Sequence, residues 1–362
     1  MEEWVNCTLG DLLTFQRGHD LPKSEMQSGE YPVVGSNGII GFHNEFTTNE
    51  PSVTIGRSGN VGNPFIYYGK TWSHNTTLYV KDFKGNDPVF IYYFLKTMDL
   101  SNYAGGSAVP TLNRNHIHTL PIRIPLNSQV QKKIGSLLKL FDDKIAENNS
   151  INENLAVLLQ TVYQERFGDV DKASKQGVLS DICSYSKDRV AVSELDVSTY
   201  FSTENMLPRK AGSTEATSLP TMPQTTACHK GDTLISNIRP YFKKIVYCED
   251  ECGCSTDVLC FMPNQPQYSA YLFSTLYADK FFSFMVAGAK GTKMPRGDKQ
   301  QIMTYPIVMP SEVALAEFNT IALPLIKQIY SNRAENKRLS LLRDTLLPKL
   351  MSGELDVSDI DL

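Results

Sequence analysis

Two loops in the first half of the chain carry side chains that could bind a nucleic acid. Arg and Asn have the bidentate geometry that recognises guanine and adenine edges, and Ser commonly holds a phosphate. Solvent-exposed loops carry the same residue types without a ligand, so the loops are candidates only. In the stretches GRSGNVGN and TLNRNH, the predicted nucleic-acid contacts are Arg57, Ser58, Asn60, Asn113 and Arg114.

The second half contains two comparable loops, SNIRPYFKK and AKGTKMPRGDK, which are richer in lysine. Lysine is a point charge suited to phosphates, whereas arginine can also recognise a base. The predicted contacts in these loops are Arg239, Lys243, Lys244, Lys290, Lys293 and Arg296.

Patterns for other chemistries are incomplete. The stretch YYGKT ends like a phosphate-binding loop, but Pro64 stands where that loop requires its first glycine. Cys248, Cys252 and Cys254 lie close together without the C-x2-C spacing of structural zinc sites, so buried thiols are favoured over a metal. The sequence also lacks an Asp/Asn-Pro-Pro-aromatic methyl-transfer loop. We therefore predict no catalytic residue and no metal site.

The composition indicates a folded protein of about two domains. The chain has 362 residues, 41% of them hydrophobic, and a formal net charge of −4. An acidic chain is not typical of an autonomous, non-specific nucleic-acid binder. The sequence has no apolar run long enough for a membrane span and begins MEEWVNCTLGDL, which is unlike a signal peptide. We expect a cytoplasmic protein with reduced thiols.

The chain is an internal repeat. The phrase Ile-x-Thr-x-Pro-Ile-x-x-Pro occurs at Ile117–Pro125 and again, 185 positions later, at Ile302–Pro310. Near the start of each copy, LGDL from Leu9 matches LSDI from Leu179 at an offset of 170. The second copy is therefore longer in its middle.

A long helix is predicted after each repeated phrase. From Ile134 to Val162 the apolar residues recur at steps of three and four, and the pattern repeats 184 positions later. The narrow stripe with two Asn per helix favours an antiparallel coiled coil over two independent amphipathic helices. We expect Leu155 and Leu339 to be buried there. The predicted helix–helix seam contains Phe141, Ile145, Asn148, Asn152, Leu155, Leu325, Ile329, Asn332, Asn336 and Leu339.

The segment before each helix resembles a mixed α/β globule. Stretches such as SVTIG, TTLYVK, DTLISN and DVLCFM predict short strands. PVFIYYFLKTM and YSAYLFSTLYADKFFSFM predict short helices. The predicted fold is an α/β (mixed α+β) protein in which two globular domains alternate with two long helices in a pseudo-twofold repeat.

This organisation resembles the specificity subunit of type I restriction–modification enzymes. The resemblance is carried by LPIRIP and YPIVMP, which close each globule, by FDDKIAENNSINENL at Phe141–Leu155, and by NKRLSLLRDTLLPKLMSGEL at Asn336–Leu355. It covers nearly the whole chain. It implies target recognition domain 1 at 1–125, conserved helix 1 at 126–168, target recognition domain 2 at 172–310, conserved helix 2 at 311–351, and a C-terminal tail at 352–362.

The resemblance implies a non-catalytic subunit of a DNA methyltransferase and ATP-dependent endonuclease. Each recognition domain would bind one half of a bipartite site in double-stranded DNA. The helices would set the spacer and dock two methyltransferase subunits, through which motor-nuclease subunits join. S-adenosylmethionine, ATP and Mg²⁺ would be held by those partners, and no cofactor by this chain.

Two points stay open at the level of sequence. Pro324 falls inside the second helix, where it should kink the helix or start a new one. A two-headed protein-interaction scaffold without DNA binding is the alternative function; a stand-alone methyltransferase–nuclease would need the methyl-transfer motif that the sequence lacks.

Overall fold

The structure is a computed structural model, and it describes residues 3–106, 110–170 and 175–357. The predicted second domain begins with residues 172–174, which lie outside the described residues. The last residues of the predicted tail, 358–362, also lie outside them. The chain divides into two compact units. Unit 1 comprises Met1–Glu147 with Glu335–Leu362, and unit 2 comprises Asn148–Ala334.

The helices are α1 (Leu9–Leu12), α2 (Pro88–Thr97), α3 (Arg114–His118), α4 (Ser128–Phe167), α5 (Ser269–Tyr277), α6 (Asp279–Ala287), α7 (Lys299–Ile302) and α8 (Glu312–Ser352). The strands of unit 1 are β1 (Trp4–Thr8), β2 (Thr14–Arg17), β3 (Tyr31–Gly35), β4 (Gly38–His43), β5 (Ser52–Gly56), β6 (Pro64–Tyr67), β7 (Trp72–Ser73), β8 (Thr77–Asp82), β9 (Ala104–Gly105), β10 (Thr111–Leu112) and β11 (Pro121–Pro125). The strands of unit 2 are β12 (Gln176–Val178), β13 (Cys183–Tyr185), β14 (Arg189–Ala191), β15 (Tyr200–Phe201), β16 (Gln224–Cys228), β17 (Thr233–Ser236), β18 (Ile245–Tyr247), β19 (Cys252–Cys254), β20 (Val258–Pro263) and β21 (Pro306–Val308).

Each unit is built around a four-stranded sheet. In unit 1 the order is β2-β8-β5-β6, and in unit 2 it is β13-β20-β17-β18. The central strands β5 and β17 are buried along their whole length, as expected for short β-branched and apolar runs packed on both faces. Unit 1 adds the sheet β4-β3-β7, and unit 2 adds β14-β16-β19-β15.

The repeated Pro-bounded phrase forms the strand that closes each unit. In unit 1, β11 pairs antiparallel with β1, and Thr8 lies opposite Pro121. In unit 2, β21 pairs antiparallel with β12, and Val178 lies opposite Pro306. The phrase recurs because each globule joins its first and last strands in the same way.

The LGDL and LSDI stretches also have one structural role. The Thr8 N–H donates to Asp11 Oδ2 at 2.9 Å, and the Val178 N–H donates to Asp181 Oδ2 at 2.8 Å. Both carboxylates thus bind the backbone where the first strand turns into a helical turn, as in a capping box.

One predicted short helix is divided in the structure. The stretch from Ser269 to Ala287 forms α5 and α6, separated at Ala278, which has extended backbone (ψ 141°) and is buried. No glycine or proline marks the break. Packing of both short helices against the unit 2 core decides it.

The two long helices contribute to both units. In unit 1, Ile134 and Leu138 of α4 share a buried cluster with Leu350 and Met351 of α8. In unit 2, Tyr163 of α4 packs against Phe318 of α8 with ring centroids 6.4 Å apart, and Asn332 donates to Asn152 Oδ1 at 2.9 Å. Within each unit the helices therefore run antiparallel, and in unit 2 an Asn pair lies in their seam.

The residues buried in the helix–helix seam differ in part from those predicted from the sequence. Of the predicted residues, Asn148, Asn152, Ile329 and Asn332 are buried, and the others are half-buried. Leu155 and Leu339 are among the half-buried ones, so the expected burial of both was wrong. Leu138, Leu159 and Tyr163 are buried instead. The reason is that the globules pack on these positions as well, which moves the buried stripe toward them.

Pro324 does not interrupt α8. The helix continues from Glu312 to Ser352, and Pro324 is exposed. The expectation that a new helix starts at Pro324 was wrong. A solvent-facing proline places its ring and the lost hydrogen bond on the outer side of a helix that packing holds in place.

The tail is partly integrated into unit 1. Val357 is buried in the same cluster as Leu350. Gly353, at φ 78°, ends α8 close to Trp4, where a Cβ would lie 2.6 Å from the indole ring. Glycine is required there by both the left-handed backbone and the contact.

At one contact between α4 and α8, unit 1 has charged side chains and unit 2 has apolar ones. In unit 1, Arg343 of α8 forms an ion pair with Asp142 of α4, and the Tyr93 hydroxyl donates to Asp142 Oδ2 at 2.6 Å. The repeat offset of 184 places Leu159 and Ile326 at the corresponding positions of unit 2, where both belong to the buried cluster. The polar contact links α2, α4 and α8 of unit 1.

We predict that Arg343→Leu lowers the free energy of unfolding by about 1–3 kcal/mol, because the partly buried Asp142 loses its cation. The double variant Asp142→Ile/Arg343→Leu installs the unit 2 pair and should recover most of that loss. Denaturant unfolding measures both. A double variant no more stable than Arg343→Leu would show that the two positions do not face each other.

Candidate nucleic-acid interface

The predicted loops of unit 1 lie side by side. The loop between β5 and β6 begins at Arg57, whose N–H donates to the Thr76 carbonyl at 2.8 Å. The Arg57 carbonyl accepts from the Leu112 N–H at 2.9 Å, and Ser58 forms a bridge with Thr111. The structure therefore brings Arg57, Ser58 and the start of the TLNRNH stretch together.

Glycines give the β5–β6 loop its tight path. A Cβ on Gly56 would lie 1.7 Å from the Asn60 carbonyl oxygen, so only glycine allows this approach. Gly59 and Gly62 adopt φ values of 83° and 79°. Asn60 is exposed at the turn, and Arg57 and Ser58 are half-buried at its base.

Asn113 has a structural role that the sequence prediction missed. Its Oδ1 accepts from the Asn115 N–H at 3.0 Å and caps α3. The repeat places Asp298 at the same position, where its carboxylate caps α7 by accepting from the Gln300 N–H at 3.0 Å. The capping oxygen of Asn113 is therefore not available to recognise a base. Arg114, the next residue, is exposed.

The loops of unit 2 meet in the same way. The Asn237 N–H donates to the Asp257 carbonyl at 2.8 Å, which matches the bond from Arg57 to Thr76. Ile238 forms a bridge with Arg296, and the Arg239 N–H donates to the Pro295 carbonyl at 2.8 Å. Each unit thus joins a hairpin loop to the loop that precedes its closing strand.

Most of the basic candidates in unit 2 already have partners. Lys243 pairs with Asp279 at 2.8 Å, Lys290 with Asp298 at 2.5 Å and Arg296 with Asp257 at 3.0 Å. Lys244 donates to the carbonyl of Thr203. These ammonium and guanidinium groups must exchange a protein partner for a ligand, and this lowers the net gain from any contact with a phosphate.

Two of these acids, Asp279 and Asp298, are stabilised in the charged form. Hydrogen bonds from Lys210 and Lys243 lower the pKa of Asp279 to about 2. The hydrogen bond from Lys290 and those from the backbone of α7 lower the pKa of Asp298. Both carboxylates remain ionised under any physiological condition.

Arg57, Arg114, Arg239 and Lys293 stand apart from these pairs. Within the described parts of the chain, no hydrogen bond or ion pair engages their side chains. Arg114 and Lys293 are exposed, and Arg57 and Arg239 are half-buried. They are the strongest of the predicted contacts.

The β5–β6 and β17–β18 loops correspond in the repeat, but their two arginines do not occupy the same position. Arg57 corresponds to Asn237, and Arg239 corresponds to Gly59. Asn237 was not among the predicted contacts. It is buried, its Oδ1 accepts no hydrogen bond from any described residue, and it lies where unit 1 places Arg57. Aligning the strands that precede the loops would have identified it.

The cysteines form a buried group in unit 2. Cys248 Sγ and Cys252 Sγ are 3.6 Å apart, and Cys228, Cys254 and Cys260 share their hydrophobic cluster. The hydrogen bond with Cys252, followed by desolvation, raises the pKa of Cys248 well above its ordinary value. In the described ranges no group of three or more His, Cys, Asp or Glu side chains is arranged to hold a metal ion.

None of the helices in the described ranges is both long and apolar enough to cross a membrane.

Comparison with known proteins finds similarity to the specificity subunits of type I restriction enzymes. Residues 1–156 match the family model described as the type I restriction modification DNA specificity domain. The chain is 23% identical over 302 residues to the type I restriction enzyme MjaIX specificity subunit of Methanocaldococcus jannaschii, covering 75% of this chain and 70% of that protein. It is 28% identical over 152 residues to the EcoprrI specificity subunit of Escherichia coli, covering 40% of this chain and 37% of that protein.

The chain is similar to type I specificity subunits. The fold agrees as well: the crystal structure of the S subunit from M. genitalium superposes with a TM-score of 0.67 at 17% identity, covering 97% of this chain and 96% of that one. The resemblance carried by the closing phrases and the helix motifs is confirmed, and so is the predicted mixed α/β fold of two globules and long helices.

We predict that Arg57→Ala and Arg239→Ala weaken binding to the specific DNA site by about 1–3 kcal/mol each if the arginine recognises a base. Arg57→Lys and Arg239→Lys are the matched controls. They keep the charge, so they should restore binding only where the arginine contacts phosphate. Filter binding at two salt concentrations separates the two cases. Unchanged affinity in all four variants would remove both residues from the interface.

Proposed function

We propose that the chain is the sequence-specific DNA-binding subunit of a type I restriction–modification complex, in which each unit recognises one half of a bipartite target. The observation that carries this proposal is the paired-loop arrangement, which occurs once in each unit at the same place in the repeat. In each case a basic or amide side chain lies at the base of a hairpin loop, next to the loop that precedes the closing strand. The match of residues 1–156 to a DNA specificity domain supports it.

The long helices offer two equivalent surfaces for partner subunits. Val157 and Leu158 on α4 are 66% and 47% exposed, and Leu341 and Leu342 on α8 are 70% and 47% exposed. These pairs correspond at the repeat offset of 184. Exposed large apolar side chains at matching positions mark protein-interaction sites. Two copies of one partner fit such a duplication, so we propose two methyltransferase subunits.

The remaining assignments follow from the same relationship. S-adenosylmethionine, ATP and Mg²⁺ are assigned to the methyltransferase and motor-nuclease subunits, the latter joining through the former. This chain itself contributes recognition and no catalysis. A cytoplasmic location belongs to the same proposal.

The test of the function is filter binding of duplex DNA with and without the cognate methyltransferase subunit. Because the chain is acidic, the complex is expected to bind much more tightly than the chain alone. Sequence-independent binding, or none in either state, would favour the alternative of a protein-interaction scaffold without DNA.

We predict that Val157→Asp/Leu158→Asp removes one methyltransferase subunit and Leu341→Asp/Leu342→Asp removes the other, because a buried charge opposes docking. All four side chains are exposed, so the variants should still fold. Native mass spectrometry counts the subunits. The exposed Val313 supplies a matched control: Val313→Asp should leave the count unchanged. Full occupancy in both double variants would place the docking surface elsewhere.

A second prediction concerns the spacer. One four-residue turn is inserted between Glu147 and Asn148, and another between Ala334 and Glu335; both sites lie at the bounds of the units, so the contacts inside each unit should be retained. Each insertion adds about 6 Å, close to two base pairs. Methylome sequencing of host DNA should show both half-sites unchanged and a gap wider by about one or two base pairs.

The control is an insertion in one helix only, which shifts the register of the pair and should destabilise the protein. Altered half-sites with an unchanged gap would show that the helices do not set the spacing.

A further inference from the structure

The β17–β18 loop of unit 2 holds two basic residues in a backbone conformation that favours glycine. Arg239 and Lys243 adopt φ values of 50° and 52° and flank a single helical turn, Pro240–Phe242. Left-handed backbone is unfavourable for residues with a Cβ, and such strain concentrates at functional sites.

The first unit shows that this loop could have been built without the strain. Counting from the preceding strand, Gly59 corresponds to Arg239; counting back from the following strand, Gly62 corresponds to Lys243. Both glycines also have positive φ. Unit 2 therefore keeps the left-handed backbone at both positions but has residues with side chains there instead of glycine. This indicates that the side chains of the loop have a function.

What the loop presents is a pair of aromatic rings. Tyr241 is 50% exposed and Phe242 is 40% exposed, and their ring centroids are 4.7 Å apart. Two adjacent exposed aromatic side chains are unusual on a surface without a ligand, because burying them would be favourable.

The base of the loop is firmly anchored within unit 2. The Arg209 N–H donates to the Phe242 carbonyl at 2.8 Å, and the Lys210 N–H donates to the Lys243 carbonyl at 2.9 Å. Asp279 joins both lysines at 2.8 Å. The rings are thus presented by a pre-organised loop, and binding through them costs little ordering entropy.

The surroundings of the rings are basic. A cavity of about 570 Å³ beside them is lined by Pro208, Arg209, Lys210, Tyr241, Phe242, Lys243 and Asp279. Asp279 is the one acid in this lining. Arg239, whose side chain is among the strongest predicted contacts, lies in the same loop. Exposed aromatic rings among cations suit a ligand with stacked bases and phosphates better than an apolar protein surface.

We propose that Tyr241 and Phe242 form an aromatic wedge that inserts between two stacked base pairs of the DNA half-site bound by unit 2. Arg239 and its basic neighbours would hold the phosphates beside the opened step. This inference rests on the proposed function and adds to it a place where the DNA is unstacked. Unit 1, with Asn60 and Val61 in its corresponding loop, has no such wedge.

The experiment uses the full chain with its methyltransferase subunit and duplexes that carry 2-aminopurine at successive positions of the methylated target. This base analogue fluoresces when it is unstacked. We expect increased fluorescence at one step of the unit 2 half-site, away from the bases that the methyltransferase subunits flip, and no such step in the unit 1 half-site. Tyr241→Ala/Phe242→Ala should abolish the increase and weaken specific binding by about 10-fold or more. Tyr241→Phe, which keeps the ring, should retain both.

Controls separate the possible failures. Phe42→Ala removes another exposed aromatic ring, in unit 1, and should change neither readout. Thermal melting should show the double variant folded, since both rings are exposed. If a folded double variant keeps the fluorescence profile and the affinity, the wedge is wrong and the proposed function still stands. If the double variant loses methyltransferase assembly while its DNA contacts are unchanged, the rings form a protein-docking site. If the wild-type complex shows no specific binding, the proposed function itself is contradicted.

Discussion

The antiparallel pairing of α4 and α8 is the constraint on which both units depend. Neither globule completes its core from neighbouring sequence: unit 1 needs Leu350 and Met351 of α8, and unit 2 needs Tyr163 and Phe167 of α4. A helix segment that packs at once against the other helix and against a globule is fixed on two sides. The seam is therefore not the narrow stripe of a free coiled coil, and its buried positions shift toward the globules.

The two copies of the repeat share their backbone interactions more closely than their side chains. Closing strands, turn-capping carboxylates and N-caps recur in both units, and Asn113 and Asp298 show that one cap can be made by different residues. Pairs of side chains that contact each other across two helices can differ between the two units as long as both members of the pair differ. The ion pair of Asp142 and Arg343 in unit 1 and the apolar residues Leu159 and Ile326 in unit 2 occupy corresponding positions because each solution satisfies its own partners.

The candidate interface likewise combines a backbone arrangement that both units share with side chains that differ between them. The hairpin loop and the loop before the closing strand are joined by backbone hydrogen bonds in both units, so the platform is common to them. The side chains on it differ: Gly59 in unit 1 corresponds to Arg239 in unit 2, and Arg57 corresponds to Asn237. A shared platform with different side chains is what recognition of two different half-sites by one chain requires.

The sequence by itself determined the repeat, the mixed α/β character, the two long helices and the loops that carry the candidate contacts, because periodicity and turn residues are local properties. It did not determine which loop residues remain available. Arg296 and Lys290 were predicted contacts as Arg57 was, but ion pairs with Asp257 and Asp298 engage them. Tertiary structure alone decided that, and likewise the continuity of α8 through Pro324 and the burial of Asn237, because each depends on partners distant in sequence whose contacts outweigh local preference.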